Sequence, residues 1–251
     1  MIYNNTARKP HLRLGIRVRS LPQVAMTKKS LYALSIWLLT ICCSLLSGDF
    51  LSAAPFRVAV ADARGTPLAD AVVSLRPAAG KASNANRPNL VVNPQPVVIQ
   101  QTDREFAPRV TVVPVGSRVS LPNNDVVPHS VYSFSAAKQF EFDVYVGSSP
   151  QVLTLDKTGV VTLGCNIHDW MVGYVVVVDT PLAVKTDAKG AAAFANVPDG
   201  DYELRVWHSQ QRVGEHVATV VVSERLKTQA VVLDVVPPRT RYKPPLTLKP
   251  Y

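Results

Sequence analysis

The chain has 251 residues, 47 % of them apolar, with 27 Lys and Arg against 18 Asp and Glu and a formal net charge of +9. That apolar share supplies a core and excludes a disordered chain, and 20 Pro against 12 Gly suits a loop-rich β protein better than a helical bundle. Seven of the basic side chains and one acid lie in residues 1–54, which leaves 20 against 17 in the remainder, a balance of +3 with no footprint of nucleic-acid binding.

The first expected element is an export signal over residues 1–54. Lys28 and Lys29 precede an apolar run from Leu31 to Leu46, and the small residues Ser52, Ala53 and Ala54 follow. A charged start, a short apolar stretch and a small-residue end are the parts of a secretory signal peptide. The run is shorter than the ~20 residues of a comfortable membrane span, so an uncleaved anchor is the weaker alternative. Met26 is a better start than Met1 because it stands two residues before the lysine pair. Cleavage between Ser52 and Phe56 delivers a periplasmic protein with no membrane contact. It also removes Cys42 and Cys43 together with Met1 and Met26, leaving Cys165 and Met171 as the sole cysteine and methionine, with His168 midway between them.

The body reads as β-strands. Short Val-rich runs predict Phe56–Ala61, Ala71–Leu75, Arg109–Val113, Arg118–Leu121, Ser130–Phe134, Phe140–Tyr145, Val152–Leu155, Val160–Gly164 and Gly173–Val178, then Ala191–Ala195, Tyr202–Trp207, His216–Val222 and Gln229–Val235. Turn signals separate them, among them Arg64-Gly65-Thr66-Pro67 and Pro198-Asp199-Gly200. Many short strands of this kind predict an all-β fold of Greek-key sandwiches. Gly80 to Pro96 reads as a linker. Residues 237–251, with five prolines and four basic side chains, read as an extended tail.

Candidate ligands cluster in two places. Gly164-Cys165-Asn166-Ile167-His168-Asp169-Trp170-Met171 fits a loop between two neighbouring strands, and Pro128-His129-Ser130 stands upstream at another strand end. Two imidazoles, a thiolate and a thioether form the His₂Cys set with a weak axial Met that suits electron-transfer copper. The soft sulfur donors stabilise Cu(I), and the imidazoles serve both oxidation states. Three alternatives stand beside this one. Cys165 could be a buried thiol without a metal. The set could hold zinc, for which Met is a poor ligand. A Cys-His pair could be a hydrolase nucleophile and base, although no Gly-rich elbow surrounds Cys165. His208 and His216 lie on apparent strands and are expected to be structural.

With Val112-Val113-Pro114-Val115-Gly116, Asn123-Asn124-Asp125, Pro128-His129 and Gly164-Cys165 in that order, the region from about residue 96 to residue 180 resembles the cupredoxins, the blue-copper family of plastocyanin, pseudoazurin and amicyanin. The Cys-x2-His-x2-Met spacing is similar to the short loop of amicyanin. The resemblance implies one copper ion with His129, Cys165 and His168 as equatorial ligands and Met171 as the axial one. It further implies a His168 ring edge open to solvent, a more enclosed His129, and redox partners docking over His168 and Trp170, with Asp169 adding negative charge at the rim. The same stretch also resembles periplasmic proteins labelled as methylamine-utilisation proteins. Ser130 departs from the family, which often has Asn directly after the first His, and looser bracing of the ligand loops is expected from its shorter side chain.

The flanks resemble a second family. Gly65-Thr66-Pro67-Leu68, Thr186-Asp187-Ala188-Lys189-Gly190 and Pro198-Asp199-Gly200-Asp201-Tyr202 look like the turns of a carboxypeptidase-regulatory-like sandwich. That domain would be discontinuous, over 55–80 and 181–236, with the copper domain of 96–180 inserted in it. The function expected from all of this is an exported one-electron copper carrier and no enzyme. The alternative is a copper-binding, interaction or carbohydrate-binding module without electron transfer.

Overall fold

The computed structural model describes residues 55–78, 89–147, 151–223 and 225–237. The expected export signal, part of the expected linker and the tail beyond residue 237 lie outside the described residues. Among the described residues every regular element is a strand: β1 (Phe56–Asp62), β2 (Val72–Pro77), β3 (Val97–Val98), β4 (Gln100–Thr102), β5 (Glu105–Ala107), β6 (Val110–Pro114), β7 (Arg118–Leu121), β8 (Val131–Ser135), β9 (Lys138–Glu141), β10 (Gln151–Thr154), β11 (Gly159–Cys165), β12 (Val172–Val178), β13 (Ala183–Lys185), β14 (Ala191–Phe194), β15 (Gly200–Trp207), β16 (His216–Val222) and β17 (Thr228–Leu233). No helix of the described residues is long and apolar enough to cross a membrane.

The strands form two packed pairs of sheets. One pair joins the sheet β14-β1-β17 to the sheet β13-β2-β15-β16. The alternation that makes β1 and β15 strands also aims them: Phe56, Val58 and Val60 of β1 and Tyr202, Leu204 and Val206 of β15 enter one core, while Arg57, Glu203 and Arg205 face outward. The other pair joins the sheet β6-β12-β11-β8-β9 to the sheet β10-β7-β3, with the β4–β5 hairpin beside them. Its core holds Ile99, Leu121, Val131, Leu155, Val161 and Leu163, together with Cys165 and Met171.

β12 shows why its sequence is an unbroken apolar run. Val175 and Val177 point into the second core, whereas Tyr174, Val176 and Val178 pack on Val72, Ala183 and Trp207 of the first sandwich. A strand covered on both faces has no polar side, and each such burial stabilises by roughly 1.5–3 kcal/mol per large side chain. Tyr174 meets Trp207 edge-on with ring centroids 5.3 Å apart.

Four strands were not expected. β3, β4, β5 and β13 span only two or three residues each, too few for an alternation to register. The expected strand Phe140–Tyr145 is shorter than its sequence suggests, since β9 ends at Glu141. Beyond it the chain keeps single contacts: the Phe142 N–H donates to Val131 and Tyr145 pairs with His129.

Candidate metal centre

The register of β11 against β8 sets the site. Cys165, the last residue of β11, lies opposite Val131, and Gly164 lies opposite Tyr132. His129, two residues before Val131, therefore arrives at the Cys165 end of the sheet. The turn from β11 to β12 carries His168 and Met171 back over the same end, closed by a hydrogen bond from the Met171 N–H to the His168 carbonyl at 2.9 Å.

Three donor atoms converge. Cys165 Sγ is 3.7 Å from His129 Nδ1 and 3.7 Å from His168 Nδ1, and the two Nδ1 atoms are 3.1 Å apart. The circle through these atoms has a radius of about 2.0 Å, close to the ~2.0–2.1 Å of a metal–imidazole bond. That spacing suits a single ion held by His129, Cys165 and His168 together. His129 is 0 % exposed, Cys165 3 %, His168 9 % and Met171 1 %. Met171 shares the apolar cluster of Cys165.

Protonation follows from these contacts. Burial opposes ionisation of the Cys165 thiol, but the contact with His129 and the backbone N–H groups of Ser130, Ile167 and His168 outweigh it and hold the thiol below its ordinary value. Burial likewise opposes charge on His129, yet Cys165 and Asp125 raise its pKa above the ordinary value. His168 is pushed down, by burial first and then by repulsion from His129 and Arg104. A soft transition metal requires a thiolate and neutral imidazoles; the shifts at Cys165 and His168 run toward that state and the shift at His129 runs against it.

Several residues of the site carried no assigned role in the sequence. Asp125 Oδ2 lies 2.8 Å from His129 Nε2, fixing the ring so that Nδ1 faces the thiol. Asn123 Oδ1 accepts from the Asp125 N–H at 2.9 Å, and its amide donates to the carbonyls of Val127 and Tyr145. The Tyr145 hydroxyl donates to the Leu121 carbonyl at 2.9 Å, beneath the site. Asp125 stands one helical-type step before His129 in the chain, a spacing that gave a signal only in hindsight of the loop's shape. Tyr145 gave none, because its side-chain partner Leu121 and the Asn123 amide that reaches its carbonyl are both more than twenty residues away.

His168 is more enclosed than the family resemblance implies. The Trp170 ring lies 5.2 Å from it, and the Arg104 guanidinium sits over that indole at 5.5 Å. The rim expected to be acidic through Asp169 therefore also carries a cation. His208 is buried and its N–H donates to Gln211 in a turn, and His216 begins β16; the structure brings neither to the site.

No protein-family model matches the chain, and no curated protein matches it. Solved structures that it resembles include the Cu-containing nitrite reductase (NirK) from Thermus scotoductus SA-01, at 24 % identity over 41 % of this chain with a TM-score of 0.33. The match spans 25 % of that reductase. A purple cupredoxin from Nitrosopumilus maritimus is similar at 24 % identity over 33 % of this chain and 99 % of its own, with a TM-score of 0.30. A reduced mutant of amicyanin is similar at 20 % identity over 42 % and 98 %, with a TM-score of 0.32. These likenesses are low and confined to part of the chain, so the chemistry of the site rests on its own atoms.

Proposed function

We propose that the protein is an exported type 1 copper protein that carries one electron at a time. His129, Cys165 and His168 would hold the ion as equatorial ligands, and Met171 would be the weak axial donor. The observation that carries this reading is the triangle of three donor atoms whose common centre lies a bond length from each. Bound copper supplies a one-electron redox couple; the rest is the work of the chain. Cys165 offers a soft thiolate and the imidazoles offer donors suited to both oxidation states. Asp125 orients His129, and the apolar cluster around Cys165 and Met171 excludes water.

Burial favours a carrier over an enzyme. A Cys-His hydrolase must present its thiol to a substrate, and Cys165 and His129 are enclosed. A catalytic zinc keeps an open position for water or substrate, whereas all three donors here are buried. Redox partners would dock over His168 and Trp170, the covered edge of the site. The two sandwiches would act as an inserted copper domain in a carboxypeptidase-regulatory-like scaffold.

Titrating Cu(II) into the metal-free protein tests the proposal. An intense blue thiolate-to-copper band at one equivalent, reversibly bleached by a one-electron reductant, is the expected result. A colourless protein that still binds copper would favour the binding-module alternative.

A further inference from the structure

We infer that the tip of the β4–β5 hairpin is a latched cover over the metal centre, and that Asp125 is the positioning residue that ties this cover to His129. The turn between the strands is unusual: Asp103 and Arg104 both have left-handed backbones, with φ of 53° and 56°, and neither is glycine. Hairpin turns of this hand favour Asn-Gly or Gly-Gly, so the turn needs support from outside itself. Asp125 supplies it. Its Oδ1 accepts the Asp103 N–H at 2.7 Å and its Oδ2 accepts the Arg104 N–H at 2.9 Å. The same Oδ2 lies 2.8 Å from His129 Nε2. One carboxylate oxygen is thus shared between the hairpin tip and a ligand ring.

The far side of the tip closes a circuit. The Arg104 guanidinium rests on Trp170, Trp170 on His168, and His168 on His129, the last pair with ring centroids 4.9 Å apart. The base of the hairpin is seated independently. Phe106 is buried against Gly173, where a side-chain Cβ would come within 2.9 Å of Phe106 Cβ. The base is fixed by packing, whereas the backbone of the tip hangs on the Asp125 carboxylate and its Arg104 side chain rests on Trp170, so the tip is the part that opens. Opening it would uncover Trp170 and His168 and release the Nε2 side of His129 together, which makes the hairpin a gate for metal entry and loss. The exchange of metal depends on the copper assignment; the latch itself does not.

The experiment has a metal-free arm and a loaded arm. In the metal-free full chain, Asp125→Asn should speed amide exchange at Asp103 and Arg104 at least tenfold, and Asp125→Glu should restore part of the protection. Arg104→Gly keeps both N–H donors and suits the left-handed backbone, so it should leave the Asp103 amide protected. In the Cu(II)-loaded protein, chelator should strip the metal about tenfold faster from both Asp125→Asn and Arg104→Gly than from the parent. The reduction potential should rise in Asp125→Asn, where His129 loses a carboxylate partner, and return toward the parent value in Asp125→Glu. Unchanged amide exchange in Asp125→Asn overturns the latch, and parental stripping rates in both variants overturn the gate. Should Asp125→Asn not fold, Arg104→Gly alone decides the gate and Asp125→Glu the latch. A parent that takes up no Cu(II) refutes the copper proposal, while the amide arm still decides the latch.

Discussion

Asn166 and Ser130 are joined twice: the Asn166 N–H donates to the Ser130 carbonyl at 2.9 Å, and the Asn166 side-chain amide donates to Ser130 Oγ at 3.1 Å. Ser130 in turn donates to the Phe142 carbonyl at 3.0 Å. Directly after His129 the chain carries a hydroxyl, Ser130, that meets an amide from the opposite loop. The two ligand segments are thus bridged from the Cys165 side, which answers the expectation that Ser130 would leave them loosely braced.

Asn166→Ala removes that amide, along with its hydrogen bond to Glu141 at 2.9 Å. Both bonds lie near the surface, so the expected loss of stability is about 1 kcal/mol. Denaturant unfolding of the metal-free protein measures it. The blue band should survive, because no ligand is touched, while electron self-exchange should slow as the loops become freer to rearrange.

Cys165→Ser exchanges the soft donor for a hard hydroxyl of similar size. The expected outcome is a folded β protein by circular dichroism that shows neither a blue band nor reversible redox chemistry with Cu(II). A blue Cys165→Ser protein would place the copper elsewhere.

Met171→Leu should tune the site without abolishing it. An axial thioether is a long, weak bond whose loss destabilises Cu(II) more than Cu(I). Voltammetry should therefore show a raised potential with the colour retained. Because the swap conserves volume at a buried position, the metal-free protein should lose less than ~1.5 kcal/mol.

Asp187 gives the first sandwich an acid-sensitive turn. The N–H groups of Ala191 and Lys189 donate to its Oδ1 at 2.9 and 2.8 Å and hold its pKa below the ordinary 3.8. A folded-state pKa below the unfolded value means the contribution is complete above the unfolded value and is lost as pH falls through the folded one. Asp187→Asn should flatten the metal-free stability profile below the ordinary carboxylate pKa and leave its slope near neutrality unchanged, as thermal melts across pH would record.

The strands that were legible are those where alternation or an unbroken Val run lasts five residues or more, such as β1, β12, β15 and β16. The pairing of Cys165 with His168 was legible because the two stand three residues apart, at the end of β11 and in the turn that follows it. The hairpin that covers them was not. β4 and β5 offer three residues each, and their Asp103-Arg104 turn lacks the glycine that marks such turns in sequence. Its conformation is set by Asp125, more than twenty residues away, and a constraint of that range leaves no local pattern. The enclosure of His168 was hidden for the same reason, since Arg104 reaches it only through the folded hairpin.

β2 and β13 run side by side, with Ser74 opposite Ala183, and Thr180 Oγ1 donates to the Leu75 carbonyl at 2.7 Å. The whole second sandwich leaves from one of these strands and returns on the other. For the first sandwich it is therefore one very long loop, whose closure in an unstructured state costs about 3 kcal/mol more than a tight turn, taking ~0.6 kcal/mol for each doubling of length. A folded insert holds its two ends together and removes that cost. Whatever strengthens the insert, a bound metal ion included, should then raise the melting point of the first sandwich as well. Replacing the insert with a two-residue turn should yield a smaller sandwich that melts independently of copper.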